Sequence, residues 1–227
     1  MAAYDEPESA LRRPPTLAEQ AYDLVEELIV TLRLRPGTIF SEAALVALTG
    51  MGRTPLREAL QRLAAERLIH VMPRRGMVVA EIDLVDFLAL LETRRALDRL
   101  VLSAATRRAS AIERDRLLRV GQAMERAATE GAVDAFMRAD REGDELLAAS
   151  AHNVYAVHAS APLHTHCRRF WMKYRDTGDV SRSAMLHGIM LRAVADRDEA
   201  GALRASDLLI DYLEQITRET LELRQGR

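Results

Sequence analysis

Residues 50–63 read GMGRTPLREALQRL, and how this stretch is read decides the architecture of the chain. Leu56, Leu60 and Leu63 recur at helical spacing and centre on one face. Thr54, Arg57 and Gln61 fall on an adjoining stripe, with Arg53 beside them at the N-terminal end. Pro55 sits in the first turn, where a missing backbone N–H costs nothing. Such a helix docks its leucine face on its own domain and turns the side chains of its N-terminal end outward. A recognition helix enters a major groove in this way. One arginine can bond both O6 and N7 of guanine, worth about 1–3 kcal/mol of discrimination. Thr54 and the helix N-terminus suit phosphate oxygens. The plainer alternative is a solvated basic face paired with Glu58 and Glu66.

Net charge alone does not favour a polyanion partner, since the 227-residue chain stands at -2. Its distribution does. Residues 1–49 carry -4, whereas residues 50–80 set six arginines (53, 57, 62, 67, 74, 75) against Glu58 and Glu66, for +4. Local charge governs phosphate binding more than the sum.

The flanks supply a scaffold. From Thr16, Ala18, Tyr22, Val25, Leu28, Ile29 and Leu32 predict a helix, opened by a Thr16–Glu19 capping box and ended by Arg35-Pro36-Gly37. Ser41 caps a short second helix that stops at Gly50. After the third helix, LIHVMPRRGMVVA (68–80) reads as a β-hairpin with Arg74 and Arg75 at its tip, placed to enter a minor groove or clamp the backbone. Three helices and a hairpin form a winged helix-turn-helix. The expected organisation is a flexible tail at 1–15, this domain at 16–80, a linker and hinge at 81–83, and a helical domain at 84–223. The last is an all-α bundle of six helices, at about 84–108, 112–129, 132–149, 153–175, 180–196 and 199–223, with Pro162 kinking or dividing the fourth. The fold class is therefore mainly α.

Composition is that of an ordinary globular chain, 48% hydrophobic and 29% charged. No apolar run reaches a membrane-spanning length, and the first 15 residues lack the apolar core of a secretory signal. A single cysteine, Cys167, cannot form an internal disulfide and is read as a packing residue. Cytoplasmic residence without a membrane partner is the expectation.

The stretch Gly52-Arg53-Thr54-Pro55-Leu56-Arg57-Glu58-Ala59-Leu60 resembles the third helix of the GntR family of bacterial transcription regulators. The upstream Leu34-Arg35-Pro36-Gly37-Thr38 with Ser41-Glu42, and the wing Pro73-Arg74-Arg75-Gly76, resemble the same family. The resemblance implies DNA contacts from Arg53, Thr54, Arg57 and the wing around Gly76. Two departures stand out: Gly52 replaces the usual serine cap, and Ala43 replaces a frequent arginine of the second helix.

The helical half resembles the FCD effector domain of the FadR subfamily, and six helices rather than seven imply its VanR-like branch. Leu91-Glu92-Thr93-Arg94-Arg95-Ala96-Leu97-Asp98 is similar to a family helix whose arginine, here Arg94, engages an effector carboxylate. Many FCD domains hold a divalent metal on one aspartate and three histidines. The positions implied here are Asp140, Asp144, His187 and Asp207, three carboxylates and one imidazole. That set favours manganese, magnesium or calcium over zinc. Equally, it admits no metal, with the carboxylates facing an amine-bearing effector or water. Three carboxylates together call for some cation or shared proton. His164 and His166, two apart on a helix, diverge and make poor joint ligands; core packing or solvent exposure is the reading for each, although one of them could face the cavity.

These readings converge on a ligand-responsive transcription regulator. As a homodimer it would bind a palindromic double-stranded DNA operator, with a small-molecule carboxylate as effector. The competing class is a metal-dependent helical-bundle enzyme with an accessory DNA-binding domain. No nucleophile–base pair or phosphate loop supports that class.

Overall fold

The structure, a computed structural model, describes residues 14–225; most of the expected N-terminal tail, residues 1–13, lies outside them. The chain forms two compact units, one of residues up to 29 with 34–80, the other of 30–33 with 81 onward.

The first unit contains α1 (Leu17–Val30), β1 (Ile39–Phe40), α2 (Glu42–Thr49), α3 (Arg53–Ala65), β2 (Ile69–Met72) and β3 (Gly76–Val79). The capping box of α1 is formed in both directions: Thr16 N–H donates to Glu19 Oε2 at 2.6 Å, and Glu19 N–H to Thr16 Oγ1 at 3.1 Å. The helix ends before the expected Pro-Gly stop, because Leu32 adopts a left-handed φ of 60° and Leu34 N–H takes up the carbonyl of Leu28 at 2.8 Å. Ser41 caps α2 by accepting from Ala44 N–H, and Gly50 closes it at φ 70°. Gly52 precedes α3 without any side-chain cap.

Leu56, Ala59, Leu60 and Leu63 of α3 are buried against Ala21, Val25, Ile29, Leu45, Leu68, Ile69 and Val79. Each fully buried leucine there contributes about 1.5–3 kcal/mol. The wing holds one strand more than the sequence pattern predicts. β1 pairs antiparallel with β3, Ile39 opposite Val78 and Phe40 opposite Met77, giving the order β1-β3-β2. Two residues are too few to show an alternating pattern.

The second unit is helical: α4 (Leu84–Arg108), α5 (Ala111–Thr129), α6 (Val133–Ala151), α7 (Val154–Tyr174), a 3-10 turn (Arg175–Thr177), α8 (Val180–Ala195) and α9 (Glu199–Gln225). Pro162 lies inside α7 and does not divide it. Buried Ala156 and Ser160 before it, and Thr165 and Phe170 after it, anchor the helix on both sides. Residues 81–83, expected to be a linker, are tied into this unit. Ile82 is buried with Leu84, Phe87 and Phe170, and Asp83 caps α4 by accepting from Val85 and Asp86 N–H. Phe87 stacks on Phe170 at 4.1 Å between ring centroids. Among the described residues no helix is long and apolar enough to cross a membrane.

Candidate functional site

Two places in the molecule carry chemistry. In the first unit, burial of the leucine face of α3 leaves Arg53, Thr54, Arg57 and Gln61 exposed along one stripe. Arg57 Nε donates to Glu42 Oε2 of α2 at 2.8 Å, so the preceding helix holds the arginine. That is a different partner from the Glu58 and Glu66 expected of a solvated face. Glu66 is occupied elsewhere: it accepts from Tyr22 OH at 2.5 Å and from Arg62 Nε at 2.9 Å. Arg62 also lies over the Tyr22 ring, 3.6 Å from its centroid. Of the basic residues on α3, Arg62 thus braces the fold.

The wing tip is a turn in which Arg75 N–H bonds Met72 O at 3.0 Å and Arg74 takes φ 64°. Arg74 and Arg75 are exposed. Gly76, which the resemblance implies as a DNA contact, has a structural reason to be glycine. Its φ is 97°, and an added Cβ would lie 2.5 Å from the Phe40 carbonyl oxygen of β1.

In the second unit, three helices each send an i, i+4 pair into one buried cavity. The pairs are Asp140 and Asp144 from α6, His164 and Arg168 from α7, and Ser183 and His187 from α8; Arg94 of α4 joins them, with Asp98 behind it against Arg94 and His164. Leu209 and Leu213 of α9, with Trp171, Phe136 and Met137, complete the lining. The cavity measures about 30 Å³, room for about two waters.

Its polar groups form one chain of contacts. Arg94 Nε donates to Asp98 Oδ2 at 2.9 Å. His164 bridges two carboxylates, Nε2 lying 2.8 Å from Asp98 Oδ1 and Nδ1 3.2 Å from Asp144 Oδ2. Arg168 Nη1 donates to Asp144 Oδ2 at 2.8 Å and lies 3.9 Å from Asp140 Oδ2, while its Nη2 donates to Thr165 Oγ1 at 3.1 Å. His187 closes the chain, Nε2 3.0 Å from Asp140 Oδ1 and Nδ1 2.8 Å from the Ser183 carbonyl.

Electrostatics follow from these contacts. Burial disfavours the charged form of His164, but the Asp144 and Asp98 carboxylates outweigh it and raise its pKa to about 9. Burial likewise opposes ionisation of Asp144, and the His164 and Arg168 cations more than reverse this, holding it well below the usual carboxylate range. Asp98 is lowered against its own burial by Arg94 and His164. His187 is raised, its burial outweighed by the bond to Asp140. The Cys167 thiol, beside Arg94, is pushed up by burial, consistent with a packing role.

The expected metal set is not brought together. Asp140, Asp144 and His187 meet, whereas Asp207 lies on another face of α9, 2.6 Å from Arg99 Nη1 and 3.5 Å from Arg95 Nη1. Leu209 lines the cavity instead. Two residues turn a helix by about 200°, so this small slip in register moves a side chain across it. Among the described residues no group of three or more metal-binding side chains has the arrangement of a cation site. The residues do not fit a divalent metal: one of the four expected positions, Asp207, is turned away, and Asp144 is already taken by cationic side chains. Arg168 was missed as a cavity residue, and His164 was named only as one of two histidines of which one could face the cavity; the i, i+4 spacing of His164 and Arg168 was there to be read.

Comparison with known proteins agrees with both halves. Residues 17–79 match bacterial regulatory proteins of the gntR family, and residues 89–212 match the FCD domain. The HTH-type transcriptional repressor RspR of Escherichia coli (strain K12) is 27% identical over 224 residues, covering 96% of this chain and 95% of that protein. An HTH-type transcriptional regulator in an unstable DNA locus of Streptomyces ambofaciens is 42% identical over 62 residues, and the match spans only 26% of its length. Among solved structures, E. coli McbR/YncC gives a TM-score of 0.80 at 16% identity, covering 92% of this chain and 100% of that one. That likeness is one of fold.

Proposed function

The chain belongs to the GntR family of bacterial regulatory proteins, in the branch that carries an FCD domain, and from that premise we propose that it is a carboxylate-responsive repressor acting as a dimer. A transcription regulator with an effector-binding domain is the function its family has, and a full-length relative is named a transcriptional repressor. The competing reading as a metal-dependent enzyme therefore falls away.

The observation that carries the proposal is the exposed stripe Arg53, Thr54, Arg57 and Gln61 on a helix whose opposite face is core. Arg57, oriented by Glu42, and Arg53 read base edges in the major groove; Thr54 and the start of α3 meet phosphate. Arg74 and Arg75 add backbone or minor-groove contacts from the wing. Two copies on a palindromic operator double this interface. A homodimer of the six-helix, VanR-like type is the assembly proposed.

For the effector, the cavity offers Arg94 and a buried indole. Trp171 is 5% exposed and its Nε1 has no hydrogen-bond partner among the described residues. A buried donor without a partner costs about 1–3 kcal/mol, which an acceptor oxygen would recover. A small organic acid supplies such oxygens, and its differential affinity for two states of the protein would change operator affinity. At about 30 Å³, entry of such a ligand requires its lining side chains to move.

The test is an electrophoretic shift on the gene's own upstream DNA, at two salt concentrations and with competitor. The native protein is expected to give a specific complex that weakens with salt. An Arg53→Ala/Arg57→Ala variant is expected to lose about tenfold or more in specific affinity. Full specific affinity in that variant would overturn the assignment.

A further inference from the structure

We infer that Arg168 takes the place of a divalent cation in this domain, so that its cavity works without metal. This goes beyond the effector reading and does not depend on it.

Three observations carry the inference. The first is charge. Asp98, Asp140 and Asp144 converge in a buried space, where like charges repel unless cations intervene. Arg94, Arg168 and the His164 imidazole, which faces two carboxylates at once, supply that compensation from the chain itself.

The second is position. A metal shared by α6 carboxylates would bind oxygens of Asp140 and Asp144 together. Arg168 Nη1 already sits against both, 2.8 Å from Asp144 Oδ2 and 3.9 Å from Asp140 Oδ2. Its Nη2 is fixed by Thr165 Oγ1 at 3.1 Å, so the guanidinium is held in this pose from behind. A dication in the same space would meet a fixed cation.

The third is the donor set. Both ring nitrogens of His164 face carboxylate oxygens, which leaves no lone pair for a metal. On α9 the lining residues are Leu209 and Leu213, which cannot ligate. Asp140 and His187 remain, 3.0 Å apart. Two ligands fall short of the three or four protein ligands that a resident transition metal usually has.

Replacing a metal by arginine has a chemical consequence. A guanidinium presents fixed planar donors, so it receives an oxyanion by a hydrogen-bonded fork and does not exchange with the metal pool.

The experiment uses the full chain, purified, stripped with chelator and dialysed. Elemental analysis of the protein before stripping is expected to show no stoichiometric manganese, nickel or zinc. Its melting temperature is expected to be the same with chelator, without it, and with added Mn²⁺. The Arg168→Met variant removes the guanidinium from the Asp140 and Asp144 carboxylates, and is expected to gain a Mn²⁺-dependent rise in melting temperature. Asp140→Asn in the same background should abolish that rise. Arg168→Lys, which keeps the charge, is expected to fold and to stay indifferent to Mn²⁺. Stoichiometric metal in the native protein, with a melt lowered by chelation, would overturn the inference. So would a folded Arg168→Met variant that takes up no Mn²⁺. Should Arg168→Met fail to fold, Arg168→Lys decides: a near-native, Mn²⁺-indifferent melt supports the charge role, and loss of folding there too refutes it.

Discussion

His164 shows how much one side chain can settle. With carboxylates on both ring nitrogens it exists as an imidazolium, and Arg94 and Arg168 are the cations across from it. Its folded pKa of about 9 lies above the unperturbed 6.5. The stability it contributes is therefore fully present below about pH 6.5 and is lost as pH rises through about 9. Asp144 works in the other direction. Its depressed pKa gives stability above the ordinary carboxylate range that disappears as pH falls through the folded value. Thermal melts should therefore decline from neutral pH toward alkaline pH, and a His164→Gln variant should show a flatter alkaline limb. An unchanged alkaline slope in that variant would show that the imidazolium carries no such stability. The same scale explains why this histidine was not told apart from His166. Spacing within one helix says His164 and His166 diverge, but not which of them turns inward.

At the scale of elements, helix ends and strand approach dominate. Gly52 starts α3 with no side-chain cap, and a Cβ there would meet only Pro55 ring carbons at an ordinary 3.6 Å. Gly52→Ser is thus expected to raise stability by a few tenths of a kcal/mol, about a degree or less in melting temperature, without strain. Gly76 behaves oppositely. Its positive φ and the Phe40 carbonyl 2.5 Å from the would-be Cβ make Gly76→Ala costly, by about 1–3 kcal/mol. That loss should lower the melt and weaken DNA binding together, since the wing strand β3 carries the arginine tip. A Gly76→Ala protein with a native melt would show that β1 does not hold β3 as described. The helices themselves were legible from periodic apolar residues and from start and stop signals, several of them side-chain caps such as Ser41, Ser110 and Asn153. The strand β1 was not, because two residues carry no period and its partner is far along the chain.

Across the whole molecule, the residues proposed to read DNA and those proposed to sense effector lie in separate compact units, so the proposed response can be measured as a coupling. The only tryptophan, Trp171, lines the cavity proposed for the effector, so intrinsic fluorescence is suited to report its occupancy. Titration with a series of small carboxylic acids is expected to shift its emission for those that bind. The corresponding neutral amides, and an Arg94→Gln variant, should give no shift. The same acids should then release the protein from its operator over the same concentration range. Acids that shift the fluorescence but leave operator binding untouched would separate the cavity from regulation.

By itself the sequence determined the winged domain, the six-helix second unit and the basic stripe on α3. These follow from local rules: apolar period, capping chemistry and i, i+4 spacing act within one helix. Arg94, Asp140, Asp144 and His187 were named through the family resemblance, and all four line one cavity. The tertiary structure alone decided which charges meet. It brought Asp98, His164 and Arg168 into the α6 carboxylates and turned Asp207 away to Arg95 and Arg99. The reason is physical. Pairing between helices depends on the rotation of each about its axis, and at about 100° per residue a shift of one or two positions exchanges a cavity ligand for a surface ion pair.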